Sequence, residues 1–337
     1  MASERVVVVG AGGISPAWFK PLKAEGVQVA AVVDLRLEQA QKRIAEFDLA
    51  GAEASADMAA MIRRHRPDFV IDLTVPEAHC KTTCKALELG CHVIGEKPMA
   101  SCMKEARKMV ATAERTGKLY MVSQSRRWDA RHEVVHRMIA GGQLGTLTTI
   151  NCDFYIGAHF GGFRDEMPSP LILDMAIHHF DLARYMSGAD PVAVYAKEFN
   201  PAGSWYKGDA AASCIFEMSN GVVFTYRGSW CSEGFHTSWN GDWRFITDRG
   251  TLLYDHDQEP KAVVVDNNEG FHRKMRDVPM PPTNVQYTGM HGALREMLEF
   301  LRTGRTPQCE CHDNIRSLAM VFAAIESSRK GRRVTVK

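Results

Sequence analysis

A glycine-rich turn near the N terminus is the first segment whose residue types suit chemistry. Gly10, Gly12 and Gly13 follow the apolar run Arg5–Val9, and Ile14 comes next, where a helical segment begins. The first glycine permits a tight turn, and the second lets a pyrophosphate approach the backbone at a helix N terminus. The turn therefore predicts a phosphate-binding loop, with a glycine-rich turn that holds no ligand as the alternative.

An acidic residue extends this pattern. Asp34 ends the second apolar run, 24 residues after Gly10, where a carboxylate meets the adenosine ribose hydroxyls of a dinucleotide. Its charge would repel the 2′-phosphate of NADP, and the neighbouring Arg36 would partly offset that repulsion. We therefore expect a nicotinamide dinucleotide, with NAD favoured and NADP as the alternative.

Four polar residues lie on one side of a predicted apolar helix, Leu171–Met186. Asp174, His178, Asp181 and Tyr185 stand at positions i, i+4, i+7 and i+11, which share a helix face. Polar side chains on such an apolar helix need hydrogen-bond partners, either in a ligand pocket or in a buried hydrogen-bond network. Because the ordinary pKa of histidine lies near neutrality, His178 suits a general base.

Further candidates follow strand-like runs at the same predicted sheet edge. Lys97 comes after His92–Ile94, where its ammonium group can donate to a reacting oxygen. Arg126 and Trp128 come after Leu119–Val122 and are candidates for contact with substrate hydroxyls or a carboxylate.

An aromatic, glycine-rich segment, Tyr155–Arg164, is a candidate pocket lid. Tyr155 and His159 are its predicted substrate contacts. Packing within the protein is the alternative role for such a segment.

The elements that must position these residues fall into two groups. Within about the first 120 residues, strand-like runs alternate with amphipathic helical stretches, which predicts a doubly wound parallel sheet of the Rossmann type. Beyond residue 123, consecutive β-prone runs separated by turn signals such as Asn220-Gly221 predict a large, mostly antiparallel sheet with helices. We therefore expect an α/β protein with domains at 1–123 and 124–337, the last helix (Asp313–Lys330) packing back on the first domain.

Several motifs together resemble the Gfo/Idh/MocA family of nicotinamide-dependent oxidoreductases. Besides the glycine turn, they are the segments 74–79 (TVPEAH), 96–98 (EKP), 124–128 (QSRRW) and 173–181 (LDMAIHHFD). The family combines an N-terminal Rossmann domain with a C-terminal α/β domain that has a large open sheet, in agreement with the pattern of elements.

The resemblance also implies roles for individual residues. It assigns catalysis to Lys97, Asp174 and His178, and it adds cofactor-binding positions at Thr74, Pro76, His79, Glu96 and Lys97. The expected reaction is hydride transfer between nicotinamide and a secondary alcohol of a sugar, inositol or related polyol. Two alternatives use the same binding residues: a lyase or glycosidase that oxidises its substrate transiently, and a non-catalytic dinucleotide-binding regulator.

Composition limits the partners of the protein. The formal net charge of +1 over 337 residues gives no electrostatic reason to expect a nucleic acid or an anionic membrane. We expect a cytoplasmic protein that forms a homodimer or homotetramer, as family members often do. The run Cys309–His312 resembles a metal clip but lacks a second pair of ligands, so no metal site is predicted.

Overall fold

The computed structural model describes residues 3–337, which group into two compact units. One unit contains the chain up to Trp128 together with Gln286–Leu318, and the other contains Asp129–Val285 and Ala319–Lys337. The predicted boundary after residue 123 stays a prediction, because this grouping follows contacts within the fold rather than independent folding. No helix among the described residues is both long enough and apolar enough to cross a bilayer.

The first unit is built on a parallel six-stranded sheet in the order β3-β2-β1-β4-β5-β6. The strands are β1 (Arg5–Val9), β2 (Gln28–Val33), β3 (Glu53–Ser55), β4 (Phe69–Asp72), β5 (His92–Gly95) and β6 (Tyr120–Val122). The helices between them are α1 (Pro16–Ala24), α2 (Leu37–Glu46), α3 (Met58–His65), α4 (Pro76–Glu88) and α5 (Met103–Thr116). This is the predicted Rossmann arrangement, with one short strand, β3, that the sequence pattern missed.

Strand burial explains the first unit. Val6, Val7 and Val8 of β1 are all fully buried, since a parallel sheet covered on both faces requires near-continuous apolar strands. In sequence, β1 is followed by a glycine turn and α1, and neighbouring strands end at the same edge. That edge is where ligands bind in doubly wound sheets.

The second unit begins with α6 (Ala130–Ala140) and contains a nine-stranded sheet in the order β14-β13-β12-β11-β7-β10-β9-β8-β15. Its strands are β7 (Leu147–Tyr155), β8 (Pro191–Phe199), β9 (Ala211–Met218), β10 (Val223–Ser229), β11 (Asp242–Thr247), β12 (Gly250–Tyr254), β13 (Lys261–Val265), β14 (Met275–Val278) and β15 (Val334–Thr335). The β7–β10 pair is parallel and the other pairs are antiparallel. The predicted mostly antiparallel sheet is confirmed.

The remaining helices are α7 (Ile177–Ser187), α8 (Gly289–Thr303) and α9 (Cys311–Lys330). α8 packs against α1 within the first unit, where Leu294 and Met297 join the apolar core. α9 starts in the first unit and continues into the second after Leu318.

The predicted helix Leu171–Met186 is the main correction to the element assignments. Residues Leu171–Ala176 form a π-helical turn, and the α-helix α7 begins only at Ile177. The turn follows Pro170, which has no N–H to donate, and Leu173 N donates to Ser169 O at 3.0 Å. Asp174 therefore lies on the π-turn rather than in a continuous α-helical stripe. Such turns occur frequently at functional sites.

Candidate functional site

The glycine turn after β1 has the shape of a dinucleotide cradle. Gly10 has φ = +101°, and a Cβ there would lie 2.5 Å from Leu73 O, so no larger residue fits. A Cβ at Gly12 or Gly13 would meet no atom within 4 Å, which leaves open space over the turn. Ser15 replaces the third glycine, and its buried hydroxyl donates to Gly12 O at 2.8 Å. The turn thus keeps its shape despite the substitution and fits a pyrophosphate at the N terminus of α1.

Asp34 lies beside this turn, as predicted. Its carboxylate accepts hydrogen bonds from Ala11 N at 2.8 Å and Arg36 N at 2.9 Å. Arg43 of α2, which sequence reasoning missed, donates to the carbonyls of Ala11 (3.2 Å) and Gly12 (3.1 Å). Asp34 thus accepts from a backbone N–H of the turn and Arg43 donates to its carbonyls, and together they hold the turn in shape. The Asp34 carboxylate fixes a negative charge where a ribose is expected.

A second turn follows β4. Asp72 accepts hydrogen bonds from the N and Oγ1 of Thr74 (3.1 and 2.6 Å) and from Thr83 Oγ1 (2.9 Å). Pro76 begins α4, since proline suits the first helical turn. These bonds fix the predicted cofactor-binding segment at the carboxyl end of β4.

Exposed apolar side chains flank both turns. Leu35 is 93% exposed directly after Asp34, Val75 is 62% exposed directly after Thr74, and Ile14 is also exposed. Leu35 and Val75 were not predicted as site residues. Apolar residues just past strand ends are the signal that points to them, because such positions offer contact surface to a planar base.

His79 lies beneath these turns and is 1% exposed. Its Nδ1 lies 2.9 Å from Pro98 O, and its Nε2 lies 2.9 Å from Thr74 O. A carbonyl oxygen thus faces each ring nitrogen, and it can accept a hydrogen bond from a nitrogen that carries a proton. The arrangement favours a role in joining two turns over the predicted direct contact with cofactor.

Lys97 follows β5 and is half-buried. The preceding Glu96 is buried, and it accepts hydrogen bonds from Trp18 Nε1 at 2.9 Å and from Lys97 N at 3.3 Å. Burial raises the pKa of the Glu96 carboxyl, and its bond to Trp18 opposes that rise. Glu96 thus faces the interior and positions Lys97. Its hydrogen bonds argue against the predicted contact of Glu96 with the cofactor.

The segment after β6 forms a 3-10 turn, Ser125–Arg127. Arg127 is buried, donates to Gln308 O at 2.8 Å and pairs with Asp313 at 2.7 Å. Trp128 is also buried, and its indole donates to Glu296 Oε1 at 3.2 Å. Trp128 is therefore placed in the core of the first unit, which argues against the predicted substrate contact, whereas Arg126 is half-buried.

In the second unit, Asp174 and His178 are both half-buried. Asp174 Oδ2 accepts a 2.6 Å hydrogen bond from Arg164 Nε. The neighbouring His179 is fully buried against Phe154, at a ring distance of 4.9 Å, and Asp181 is buried 4.0 Å from an Arg184 nitrogen. Only Asp181 of the predicted polar stripe is buried, and its other members are half-buried.

Tyr155 is a correction within this unit. Side chains alternate between sheet faces, and Cys152 and Phe154 of β7 are buried on the α7 side. Tyr155 lies on the opposite face together with Asp153, so β7 does not place it beside Asp174 and His178. The alternation already present in the sequence could have shown this.

His159 lies in the aromatic segment that was predicted as a lid. It is exposed, its Nε2 lies 2.8 Å from Glu233 Oε1, and its ring stacks on Trp205 at 3.7 Å. Phe160 contacts Trp230 and Trp239 at ring distances of 5.4 and 6.1 Å. Three loops of the second unit thus meet in one aromatic cluster, whose members from the later loops were not predicted.

One group of candidate metal ligands occurs among residues 3–337. Atoms of Glu310, Cys311 and His312 lie within 4.8 Å of one another. Burial raises the pKa of the Cys311 thiol far above its usual range, which disfavours the thiolate that metals bind. The nine cysteines are all free.

Both parts of the chain match models of known protein families. Residues 4–124 match a model described as "Oxidoreductase family, NAD-binding Rossmann fold", and residues 132–253 match the GFO/IDH/MocA C-terminal domain. The chain is 32% identical to inositol 2-dehydrogenase 1 of Paenarthrobacter aurescens over 65% of each chain. It is 26% identical to D-apiose dehydrogenase of Paraburkholderia graminis, over 93% of this chain and 84% of that one.

A solved structure shows the same fold. An oxidoreductase from Agrobacterium radiobacter, in complex with NAD+, L-tartaric acid and magnesium, superposes with a TM-score of 0.86 and 20% identity, covering 99% of both chains. The two matched models together span most of the sequence and include both the glycine turn and the Asp174–His178 segment. The chain belongs to the Gfo/Idh/MocA family of NAD-binding oxidoreductases.

Proposed function

We propose that the protein is an NAD-dependent dehydrogenase that oxidises a secondary hydroxyl of a sugar, inositol or related polyol. The observation that carries the proposal is the combination of a braced dinucleotide cradle with Lys97 and the Asp174–His178 segment in one chain of this family. The substrate class follows the related inositol and D-apiose dehydrogenases.

The residues fit the cofactor. Gly12 and Gly13 leave backbone approach open, and Asp34 holds a negative charge at the ribose position. That charge favours NAD over NADP. The bound nicotinamide would supply the hydride acceptor.

The protein must then handle a proton and a developing alkoxide. We assign proton removal from the substrate hydroxyl to His178, since a positioned base contributes about 10²–10⁴-fold in rate. Lys97 donates a hydrogen bond to the oxygen on which negative charge develops. Asp174 accepts a hydrogen bond from a substrate hydroxyl, and Glu96 positions Lys97 through its backbone amide.

Reduction of NAD tests this proposal. A panel of sugars, inositols and sugar acids is mixed with protein and NAD, and absorbance at about 340 nm is followed for reduced nicotinamide. Lys97→Ala and His178→Ala should each lose about 10²-fold or more in kcat. Lys104→Ala and His272→Ala, which alter exposed residues, serve as controls. Full activity in either of the first two variants contradicts the assignment.

The open face of the nine-stranded sheet supports a further part of the proposal, self-association. Tyr195 on β8 and Ile215 on β9 are directly paired, half-exposed apolar residues. Phe199 on β8 and Val223 on β10 are also exposed. We propose that a second copy covers this face in a homodimer or homotetramer. Light scattering should show an oligomer that Ile215→Glu dissociates and Phe271→Glu, at an exposed site outside the sheet, does not.

We also propose a cytoplasmic location, where the small-molecule substrate and cofactor are the partners and neither nucleic acid nor membrane takes part. Cell fractionation tests it. Recovery of the protein in the membrane fraction would contradict the proposal.

A further inference from the structure

The loop after β7 brings a cation to Asp174. Gly161 and Gly162 have φ values of +68° and +71°, a conformation that glycine adopts without strain. The chain turns there and enters a 3-10 turn, Gly162–Glu166, which places Phe163 and Arg164 side by side. The paired glycines thus allow the loop to present Arg164 toward the π-turn.

The guanidinium group of Arg164 is held on several sides. Nε donates to Asp174 Oδ2 at 2.6 Å, and Cζ lies 4.9 Å from the Phe160 ring centroid and 4.7 Å from that of Phe163. Cation–π contacts and a charge-assisted hydrogen bond fix its plane. The Arg164 side chain nevertheless remains 31% exposed. It is therefore preorganised while still open to a ligand.

Paired in this way, Arg164 and Asp174 form a neutral unit with both donors and acceptors. A guanidinium has five N–H donors and a carboxylate has about four acceptor positions, and the Nε–Oδ2 bond uses one of each. The matching ligand has one group that donates and an adjacent group that accepts. Two neighbouring hydroxyls of a polyol meet that requirement.

The surrounding charge disfavours an anionic ligand. Three loop segments meet here, 157–174, 200–210 and 230–241. The Glu166–Lys207 ion pair joins the first segment to the second, and the His159–Glu233 pair joins the first to the third. Together they contain two Lys or Arg residues and five Asp or Glu residues. A carboxylate on the substrate would therefore enter a region of net negative charge.

Aromatic surface beside the pair suits a sugar. Phe160 is 48% and Trp239 is 45% exposed, with their rings 6.1 Å apart. Exposed ring faces offer apolar contact to the C–H groups of a sugar or cyclitol ring. Hydroxyl recognition and an apolar platform thus lie in the same loops.

We propose that Arg164 is a specificity-determining residue that, together with Asp174, binds two adjacent hydroxyl groups of a neutral sugar or polyol. This inference rests on the proposed function and names the form of its substrate. The Arg164–Asp174 pair recognises a vicinal diol, and the net negative charge of the surrounding loops disfavours sugar acids.

Kinetics with matched substrates test the inference. The panel contains myo-inositol, D-glucose, their monodeoxy analogues, D-gluconate and D-glucuronate, with saturating NAD. Wild type should prefer a neutral compound and lose about tenfold or more in kcat/KM, mainly through KM, on one monodeoxy analogue. Arg164→Met, which keeps apolar contact with the two rings, should lose a similar factor on the parent compound and little more on that analogue.

The control is Arg64→Met, because Arg64 also forms a 2.6 Å ion pair, with Glu53, but on α3 in the other unit. It should match wild type throughout. Unchanged KM in Arg164→Met overturns the inference. A wild type that prefers the sugar acids, with Arg164→Met losing that preference, also overturns it by making Arg164 a carboxylate site.

A binding measurement separates failure of the inference from failure of the proposed function. Titration calorimetry of NAD-saturated protein with the same compounds requires no turnover. Binding of neutral compounds by wild type but not by Arg164→Met supports the inference even if no compound is oxidised, an outcome that removes the proposed dehydrogenase activity. Equal binding of neutral compounds by both proteins, or no binding of any compound by wild type, overturns it.

Discussion

Nε1 of Trp18 donates a 2.9 Å hydrogen bond to Oε1 of Glu96, and Trp18 is 0% exposed. The bond ties α1 to the residue that immediately precedes Lys97. Trp18, which lies near the glycine turn, therefore supports the Lys97 segment through a buried hydrogen bond rather than by contact at the surface of the first unit.

Removing this donor should destabilise the protein. Trp18→Phe leaves a buried carboxyl without its indole partner, a loss of about 1–3 kcal/mol in addition to the smaller ring. Glu96→Gln keeps an oxygen that accepts from the indole and loses only the longer 3.3 Å bond from Lys97 N. Urea unfolding should show a clear loss for Trp18→Phe and a smaller loss for Glu96→Gln. Equal stability of Trp18→Phe and wild type would contradict the role of the bond.

The glycine turn allows folding and cofactor binding to be separated. Gly10→Ala combines a φ of +101° with a clash against Leu73 O, so it should lower the melting temperature and weaken NAD binding together. Gly12→Ala meets no neighbour and should keep wild-type stability while raising the Kd for NAD about tenfold or more, since its methyl group would occupy the space of the pyrophosphate. Wild-type NAD affinity in Gly12→Ala would show that the cradle lies elsewhere.

Asp34 should control the choice between the two nicotinamide cofactors. Asp34→Asn retains an oxygen that can accept from Ala11 N but removes the charge that repels a 2′-phosphate. The ratio of kcat/KM for NAD to that for NADP should fall about tenfold, which corresponds to about 1.4 kcal/mol. Asp48→Asn, at an exposed position, should leave the ratio unchanged. If Asp34→Asn does the same, Asp34 does not set the preference.

Glu198 predicts a pH dependence of stability. It is 3% exposed, and burial raises its pKa from 4.5 to about 7, opposed by its bond to Ser169 and by Arg329 and reinforced by Asp209. Because the folded state holds this proton more tightly, the stabilisation is complete below pH 4.5 and is lost as the pH rises to about 7. At about 1.4 kcal/mol per pKa unit, the total is of the order of 3 kcal/mol.

Denaturant unfolding across this pH range measures the effect. Glu198→Gln should flatten the slope, whereas Glu217→Gln, at an exposed position paired with Arg333, should leave it in place. The same slope in Glu198→Gln and wild type would show that other groups cause it.

The sequence predicted the Rossmann sheet well because each of its elements reflects local physics. A fully buried β1, a glycine turn and an amphipathic helix follow from residue types alone. The π-turn at Leu171–Ala176 did not follow, because the apolar periodicity of this segment does not distinguish a π-turn from the α-helix that continues it. The burial of Trp128 likewise depends on Glu296, 168 residues away.

Site residues divide in the same way. Asp34 could be placed because its distance from the turn along the chain is set by one βαβ unit. His79 and Glu96 were placed near the correct turns, but their side chains face the interior, where Pro98 O and Trp18 meet them. The direction of a side chain depends on partners that are remote in sequence, and no local pattern contains that information.

The fate of the hydrogen on the oxidised carbon tests the central claim most directly. A polyol substrate carrying deuterium on that carbon is incubated with the protein and NAD, and the nicotinamide and product are analysed by mass spectrometry. A dehydrogenase predicts deuterium in the reduced nicotinamide at one atom per ketone formed, with the rate lost in His178→Ala. Release of a cleaved or rearranged product that retains the deuterium, without net reduced cofactor, would contradict the account.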